Sequence, residues 1–286
     1  MRFFPFLSVH HPLGRLTFRA IEVLILFLFI SMHSAGAQDL DVPYEPSPPE
    51  VVDAMLDLAL VDSTDYVIDL GSGDGRIVIT AAERGAVGHG VDLDPERVRE
   101  ARNNARQAGV NDRVLFLQED LFETDFSQAS VITMYLWPHV NIALRPTLLA
   151  DLRPNTRVVS HSHDMDEWQP DAIIVVKEDD GSSARLYLWI IPAQAEGQWT
   201  WSIDETTYAL DVSQDYQEVS IQLHDGRNTF ETDRATLQGN RLAFSAHLDG
   251  VNHVYSGHIQ ENRISGLVQI REGTQQRIER WEASKE

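Results

Sequence analysis

Two hydrophobic rhythms divide the chain. As far as about residue 192, short apolar runs alternate with stretches in which apolar residues recur every three to four positions. Beyond that point, short segments of alternating apolar and polar residues follow one another without a helical period. The first rhythm predicts a parallel sheet wrapped by helices, and the second an antiparallel meander. Strands are expected at 66–70, 87–92, 113–118, 130–136, 157–161, 172–177 and 185–191. A helix over 48–60 presents Val51, Val52, Met55, Leu56 and Ala59 on one face. The helix after the second strand is bounded chemically: Asp94 can cap it, Pro95 suits its first turn, Val98, Ala101, Ala105 and Ala108 line one side, and Gly109 can end it. After the fourth strand, "WPHVNIALRPTLLADLRPN" begins another helix, whose regularity Pro146 limits.

The second part opens with "GQWTWSI" and continues through "YALDVSQ", "EVSIQLH", "RLAFSAHL", "HVYSGHI" and "ISGLVQI". Asp225-Gly226, Gly239-Asn240 and Asp249-Gly250 mark hairpin turns. Leu242, Phe244 and Ala246 form an inward set for a small barrel or for one sheet packed on the first domain. No polar constellation converges in this part, so it reads as a packing or docking module.

The N-terminus changes the picture of where the protein works. Arg2, Arg15 and Arg19 precede an apolar core from residue 21 to 32, and Ala35-Gly36-Ala37 supplies a small-x-small cleavage pattern. The expected division is an export signal over 1–37, an α/β domain over 38–192 and a β-rich domain over 193–286. An uncleaved membrane anchor is the alternative, and either way the segment is the only expected membrane contact. The chain has 286 residues and no cysteine, which removes disulfides and thiolate chemistry. Its 44 acidic against 23 basic side chains give a formal charge of -21, which opposes extended contact with nucleic-acid phosphates.

Candidate chemistry begins at "VIDLGSGDGRIV". These glycines fall in the loop between the first strand and the first helix, where a backbone can turn sharply and lie close to a ligand. A dinucleotide fingerprint needs G-x-G-x-x-G, yet the third glycine arrives one place early at Gly75 and Arg76 follows it. A triphosphate loop needs Lys-Ser or Lys-Thr, which is missing. The stretch instead resembles the first motif of class I S-adenosylmethionine-dependent methyltransferases, acidic-x-G-x-G-x-G, here Asp69, Gly71, Gly73 and Gly75. Asp92, closing strand two in "GVDLDP", matches the family's ribose-binding position and lies 21 residues after Gly71. In "FLQEDLFE", Asp120 and Leu121 match its adenine-binding corner. Asp69 can alternatively cap the loop by bonding its backbone amides.

A narrower resemblance rests on "VPYEPSPPEVVDAML" with "DLGSGDGRIVI". It is similar to the lysine methyltransferase family whose mitochondrial members modify the ADP/ATP carrier and the ATP synthase c-subunit, marked by P-Y-x-P-[ST], here Pro43, Tyr44, Glu45, Pro46 and Ser47. The resemblance covers about 42–170 and stops before the β-rich part. It implies a seven-stranded Rossmann-like methyltransferase sheet, S-adenosyl-L-methionine as cofactor, and transfer to an amine, on a protein lysine or a small molecule. The alternative is an exported binding module that keeps the fold without turnover.

The acceptor side is less marked. Relatives that methylate amino groups often carry an Asn- or Asp-Pro-Pro-aromatic signature after strand four, where this chain has "TMYLWPHV". Tyr44, Tyr135 and Trp137 are candidates for an aromatic lining around the transferred methyl, against an ordinary place as core or rim aromatics. "HSHDMDEW" puts His161, His163, Asp164 and Asp166 at the end of strand five. His161 or His163 is a candidate on the substrate side. A metal is not expected, because neighbouring ligands on one turn seldom converge without partners from elsewhere. "KEDDG" from Lys177 reads as a turn between strands six and seven.

Overall fold

A computed structural model describes residues 44–203, 205–248 and 250–286, which form one compact unit. The expected export segment over 1–37, and Pro43 of the P-Y-E-P-S motif, lie outside these residues. Among the described residues no helix is long and apolar enough to cross a membrane.

The first part runs α1 (Pro49–Leu58), β1 (Tyr66–Leu70), α2 (Arg76–Glu83), β2 (Val87–Asp92), α3 (Pro95–Ala108), β3 (Val114–Gln118), β4 (Val131–Met134), α4 (Pro138–Asp151), β5 (Arg157–His161), β6 (Ala172–Lys177) and β7 (Ser183–Ile190). The seven strands form one sheet in the order β3-β2-β1-β4-β5-β7-β6. The five strands β1 to β5 pair in parallel, but β7 runs antiparallel between β5 and β6, so the expected all-parallel sheet is in fact mixed. The cause is the short 178–182 turn, which holds too few residues for a crossover and forces a hairpin.

Local chemistry sets the helix ends. Asp94 Oδ1 accepts from the Glu96 amide at 2.8 Å, and Gly109 closes α3 at φ 73°. The helix predicted to reach residue 60 stops at Leu58, since Leu60 adopts φ 53° and faces solvent. Helix α4 runs through Pro146 to Asp151. On α1, Val51, Val52, Met55 and Leu56 are at most 2% exposed. At roughly 1.5–3 kcal/mol per buried aliphatic side chain, this face is what fixes α1 to the sheet.

The second part contains β8 (Gly197–Ile203), β9 (Thr206–Asp215), β10 (Glu218–His224), β11 (Thr229–Phe230), β12 (Thr232–Gln238), β13 (Arg241–Leu248), β14 (Val251–Gln260), β15 (Arg263–Glu272) and β16 (Gln275–Lys285). Each neighbouring pair is antiparallel, and β16 returns to pair with β8. Strand β11 pairs with β10 while β12 pairs with β13, and only Glu231 separates β11 from β12. That one stretch therefore closes the sheet into an eight-position barrel, with a register shift between Asp233 and Thr236 where Arg234 has φ 55°. Leu242, Phe244 and Ala246 are buried inside, as the alternation predicts.

The barrel is anchored on the α/β sheet at two places. Ala193 N donates to Gly239 O at 2.8 Å, and Asn155 Oδ1 accepts from the Asn240 amide at 3.2 Å. Trp168 Nε1 donates to Gln217 Oε1 at 2.9 Å, and its ring stacks on Tyr216 at 5.9 Å.

Candidate active site

The carboxyl ends of β1, β2, β4 and β5 converge on one edge of the sheet, where an α/β fold presents its ligand site. Gly71, Gly73 and Gly75 leave β1 at φ 78°, 52° and 82°, all in the left-handed region that favours glycine. A Cβ on Gly73 would lie 2.2 Å from the Tyr44 ring, and one on Gly75 would lie 2.6 Å from Phe116. The glycines thus serve two surfaces, one under Tyr44 and one against α3 and β3.

Asp92 clamps the loop from the neighbouring strand. Its Oδ2 accepts from the Gly73 amide at 2.8 Å and its Oδ1 from the Asp94 amide at 2.9 Å. Burial raises its pKa, with both amides opposing. Two bonds leave a carboxylate with further lone pairs for hydroxyl donors. Asp69 occupies a different place: it is 2% exposed beneath the loop, and its Oδ1 accepts from Thr133 Oγ1 at 2.7 Å, the residue it faces across β1 and β4. Burial pushes its carboxyl up to about 7. The Gly73 amide bonds Asp92 rather than Asp69, so the loop-capping reading of Asp69 gives way to a role in the strand pair.

Asp120 turns its Oδ1 to the Phe122 amide at 2.9 Å in the loop after β3, and Leu121 is buried beside it in the core under β1 and β4. These two stand one strand further along the same edge, consistent with the spacing of the motifs.

Residues 44–47 of the P-Y-E-P-S segment lie over the glycine loop. The Tyr44 ring covers Gly73, and the Arg97 guanidinium stands 4.3 Å from its centroid. Arg76 grips Asp74 through Nε and Nη2 and donates from Nη1 to Ser47 O at 2.8 Å. The Ser47 hydroxyl bonds His161 Nδ1 at 2.9 Å. Arg76, which in the sequence serves only to reject a dinucleotide motif, therefore holds the segment in place. Ser47 is visible in its motif, but its partner on β5 is not.

On the far side, Tyr135 packs on His161 with ring centroids 3.9 Å apart, and Trp137 stacks on His163 at 6.3 Å. Trp137 occupies the N-cap position of α4 and is half exposed. Burial, and secondarily His163, lowers His161 to about 4, which keeps its ring neutral near pH 7. Burial and then Glu45 raise the Tyr135 phenol. Asn141 fixes the loop after β5 by donating to Ser160 Oγ and His163 O, both at 3.1 Å. A polar residue in the Leu144 and Leu148 register of α4 was the available signal for it. Asp164 caps a turn at the Asp166 amide, 3.2 Å away. Among the described residues no group of His, Asp and Glu is placed to hold a metal.

With this geometry in place, similarity to known proteins decides the family. A model of the ANTKMT methyltransferase domain matches residues 69–172. The protein-lysine N-methyltransferase of Saccharolobus islandicus is 45% identical over 154 residues, which cover 52% of this chain and 94% of that protein. The chain belongs to the protein-lysine N-methyltransferase family. The adenine nucleotide translocase lysine N-methyltransferase of Mus musculus is 35% identical over 136 residues, 47% of this chain and 59% of its own length. A solved RNA methyltransferase from Salinibacter ruber, in complex with S-adenosyl-L-homocysteine, is 52% identical, covers 52% of this chain and 95% of its own, and has a TM-score of 0.49. The family match ends at residue 172, ahead of the barrel. As a member of this methyltransferase family, the chain is an S-adenosylmethionine-dependent enzyme, and the exported module without turnover finds no support.

The site fits that cofactor on its own terms. Left-handed glycines let the loop lie against a ligand, and Asp92 keeps acceptor capacity for hydroxyl donors.

Proposed function

We propose that the enzyme transfers a methyl group to the side-chain amine of a lysine in a protein, with the cofactor held along Gly71, Gly73, Gly75, Asp92, Asp120 and Leu121. The observation that carries this reading is the 45% identity that extends over 94% of the Saccharolobus islandicus protein-lysine N-methyltransferase. Asp69 supports the loop from beneath through Thr133.

S-adenosylmethionine supplies a methyl carbon already activated by a sulfonium, so no covalent enzyme intermediate is needed. The protein's work is orientation in a dry, fixed setting. The new N–C bond forms as the C–S bond breaks, and the amine's proton leaves to solvent. Only a neutral amine attacks, and an unperturbed lysine has a pKa of about 10.4. The rings of Tyr135, Trp137 and His161 on one side and Tyr44 over the glycine loop favour the neutral form by desolvation. The net charge of -21 suits a basic protein segment and opposes RNA.

The test is methyl transfer from labelled S-adenosylmethionine to a lysine-rich polypeptide, to its arginine-substituted counterpart, to free lysine and to RNA. Label on the lysine polypeptide alone is expected, and label on RNA or free lysine alone refutes the acceptor. Calorimetric titration of Asp92→Ala with S-adenosylhomocysteine separates the cofactor reading. An affinity at least about tenfold weaker is expected from two amides losing a charged acceptor, and an unchanged affinity overturns the role of Asp92.

A further inference from the structure

In the 44–47 segment, Glu45 differs from its neighbours in what holds it. Tyr44 covers Gly73. The Ser47 hydroxyl bonds His161 Nδ1 at 2.9 Å, and the Ser47 carbonyl accepts from Arg76 Nη1 at 2.8 Å. Pro46 fixes its own φ and restricts Glu45 before it to extended backbone. Glu45 is thereby held between the glycine loop on one side and His161 on the other. Ser47 is buried, whereas Glu45 is exposed. Among the described residues Glu45 has no Lys, Arg or His in ion-pair contact, while Asp74 of the glycine loop is matched by Arg76 at 2.6 Å.

Its surroundings belong to the acceptor side. The strand order β3-β2-β1-β4-β5 reverses between β1 and β4, and an open α/β sheet binds its ligands at such a switch point. The cofactor residues leave β1, β2 and β3, so the acceptor comes to the half headed by β4 and β5. Tyr135 is the first residue after β4, and a Cβ on Gly71 would lie 2.9 Å from Leu136 Cδ2, so this segment reaches the cofactor loop. The Tyr135 ring lies on His161 at 3.9 Å, and its phenol has the Glu45 carboxylate and the Ser162 hydroxyl within hydrogen-bonding reach. An exposed carboxylate fixed beside that phenol, with no cation of its own, is a ready partner for an ammonium.

We propose that Glu45 is the residue that recognises the target lysine, its carboxylate pairing with the incoming ammonium beside Tyr135. This role rests on the lysine reading above and adds which side chain selects the acceptor. The ammonium loses one proton to solvent, and the neutral amine then attacks the methyl carbon as the C–S bond breaks. The nitrogen becomes positive again as the methyl arrives. The carboxylate therefore serves the bound substrate and the transition state alike, and its loss falls on KM rather than on kcat.

Steady-state methyl transfer from labelled S-adenosylmethionine to the lysine-rich polypeptide tests this on the full chain with Glu45→Gln, Glu45→Lys and Glu178→Gln. Glu178, in the turn after β6, acts on the Tyr135 phenol through its charge alone, so it reports the local field without the contact. Glu45→Gln is expected to raise KM about fivefold, the upper end for an exposed ion pair, with kcat within about twofold of wild type. Glu45→Lys is expected to raise KM further, and Glu178→Gln by less than about twofold, since solvent and salt screen a charge out of contact. S-adenosylhomocysteine affinity, measured by calorimetry, is expected to stay unchanged in Glu45→Gln. The role of Glu45 is overturned by an unchanged KM in Glu45→Gln, by an equal rise in Glu178→Gln, or by a Glu45→Gln loss confined to kcat. A weaker S-adenosylhomocysteine affinity in Glu45→Gln overturns it too, because that marks a disturbed segment. No label on the polypeptide with the wild-type chain overturns the lysine reading and the role of Glu45 together, whereas label with a KM unmoved by Glu45→Gln overturns the role of Glu45 alone.

Discussion

Adding one methyl at either of two neighbouring glycines should have different consequences, because the two face different neighbours. In Gly75→Ala the new Cβ lies 2.6 and 2.7 Å from Phe116 and 2.9 Å from the Ala101 Cβ, both fully packed in the core. A left-handed conformation costs a non-glycine residue about 1–2 kcal/mol, and overpacking a rigid core adds about 1–3 kcal/mol. The total is roughly 2–5 kcal/mol, or a melting temperature lower by about 4–20 °C for a chain of this size. In Gly73→Ala the clash is closer, 2.2 Å, but its partner is Tyr44, which is 41% exposed and can yield outward at the loss of its contacts with Arg97 and Asp74. The cost is the same backbone strain plus loss of the Arg97 contact, about 0.5–1 kcal/mol at an exposed site, and of the phenol's hydrogen bond to Asp74, about 0.5–1.5 kcal/mol. Removing Tyr44 should therefore rescue part of the Gly73→Ala loss and none of the Gly75→Ala loss. Urea melts of the two single variants and of each in a Tyr44→Ala background measure this directly. Either of two results refutes it: a Gly73→Ala cost that is the same with and without Tyr44, or a Gly75→Ala cost that Tyr44→Ala relieves.

Two titrating groups should give opposite pH slopes. Asp69 is raised in the folded state to about 7, so its contribution is complete below the unfolded value near 3.8 and is lost as pH rises through 7; Asp69→Asn, which keeps an acceptor for Thr133, should flatten a loss on the order of 4 kcal/mol in the ligand-free protein between pH 4 and 8. His161 is depressed to about 4, so its contribution is present above 6.5 and is lost as pH falls through 4; His161→Phe, which keeps a ring against Tyr135, should remove roughly 3 kcal/mol of that acid sensitivity. Urea melts across pH 4 to 8 check both, and a variant with the wild-type slope contradicts the assignment for its residue.

How far the sequence speaks depends on how local the determining contact is. The ends of α3 were legible because Asp94, Pro95 and Gly109 act within one turn of themselves. The glycine loop was legible because its φ values demand glycine at each alternate place. The direction of β7 was missed because it depends on the length of a turn rather than on the strand's own composition. Strands β11, β12 and β16 were missed because they face solvent along most of their length: only Trp281 and Ala283 of β16 are buried, and no apolar alternation marks the rest. The Ser47 to His161 bond spans 114 positions, and nothing at either end signals the other.

The two parts of the chain meet at a point that matters to the site. The loop between β5 and β6 leaves β5 at His161 and reaches Trp168, which is fully buried against Trp189 at 5.7 Å and Tyr216 at 5.9 Å. Asn141 of α4 holds its first half at His163 O, and the barrel holds its second half, with Gln217 bonded both to the Trp168 indole and to Gln169 O. Short polar loops are ordinarily among the more mobile parts of a fold. Here the same segment is pinned from both sides by buried aromatic contacts and side-chain amides. The barrel therefore fixes the loop that follows His161 and carries His163, and with it the wall on which Tyr135 and Trp137 stack.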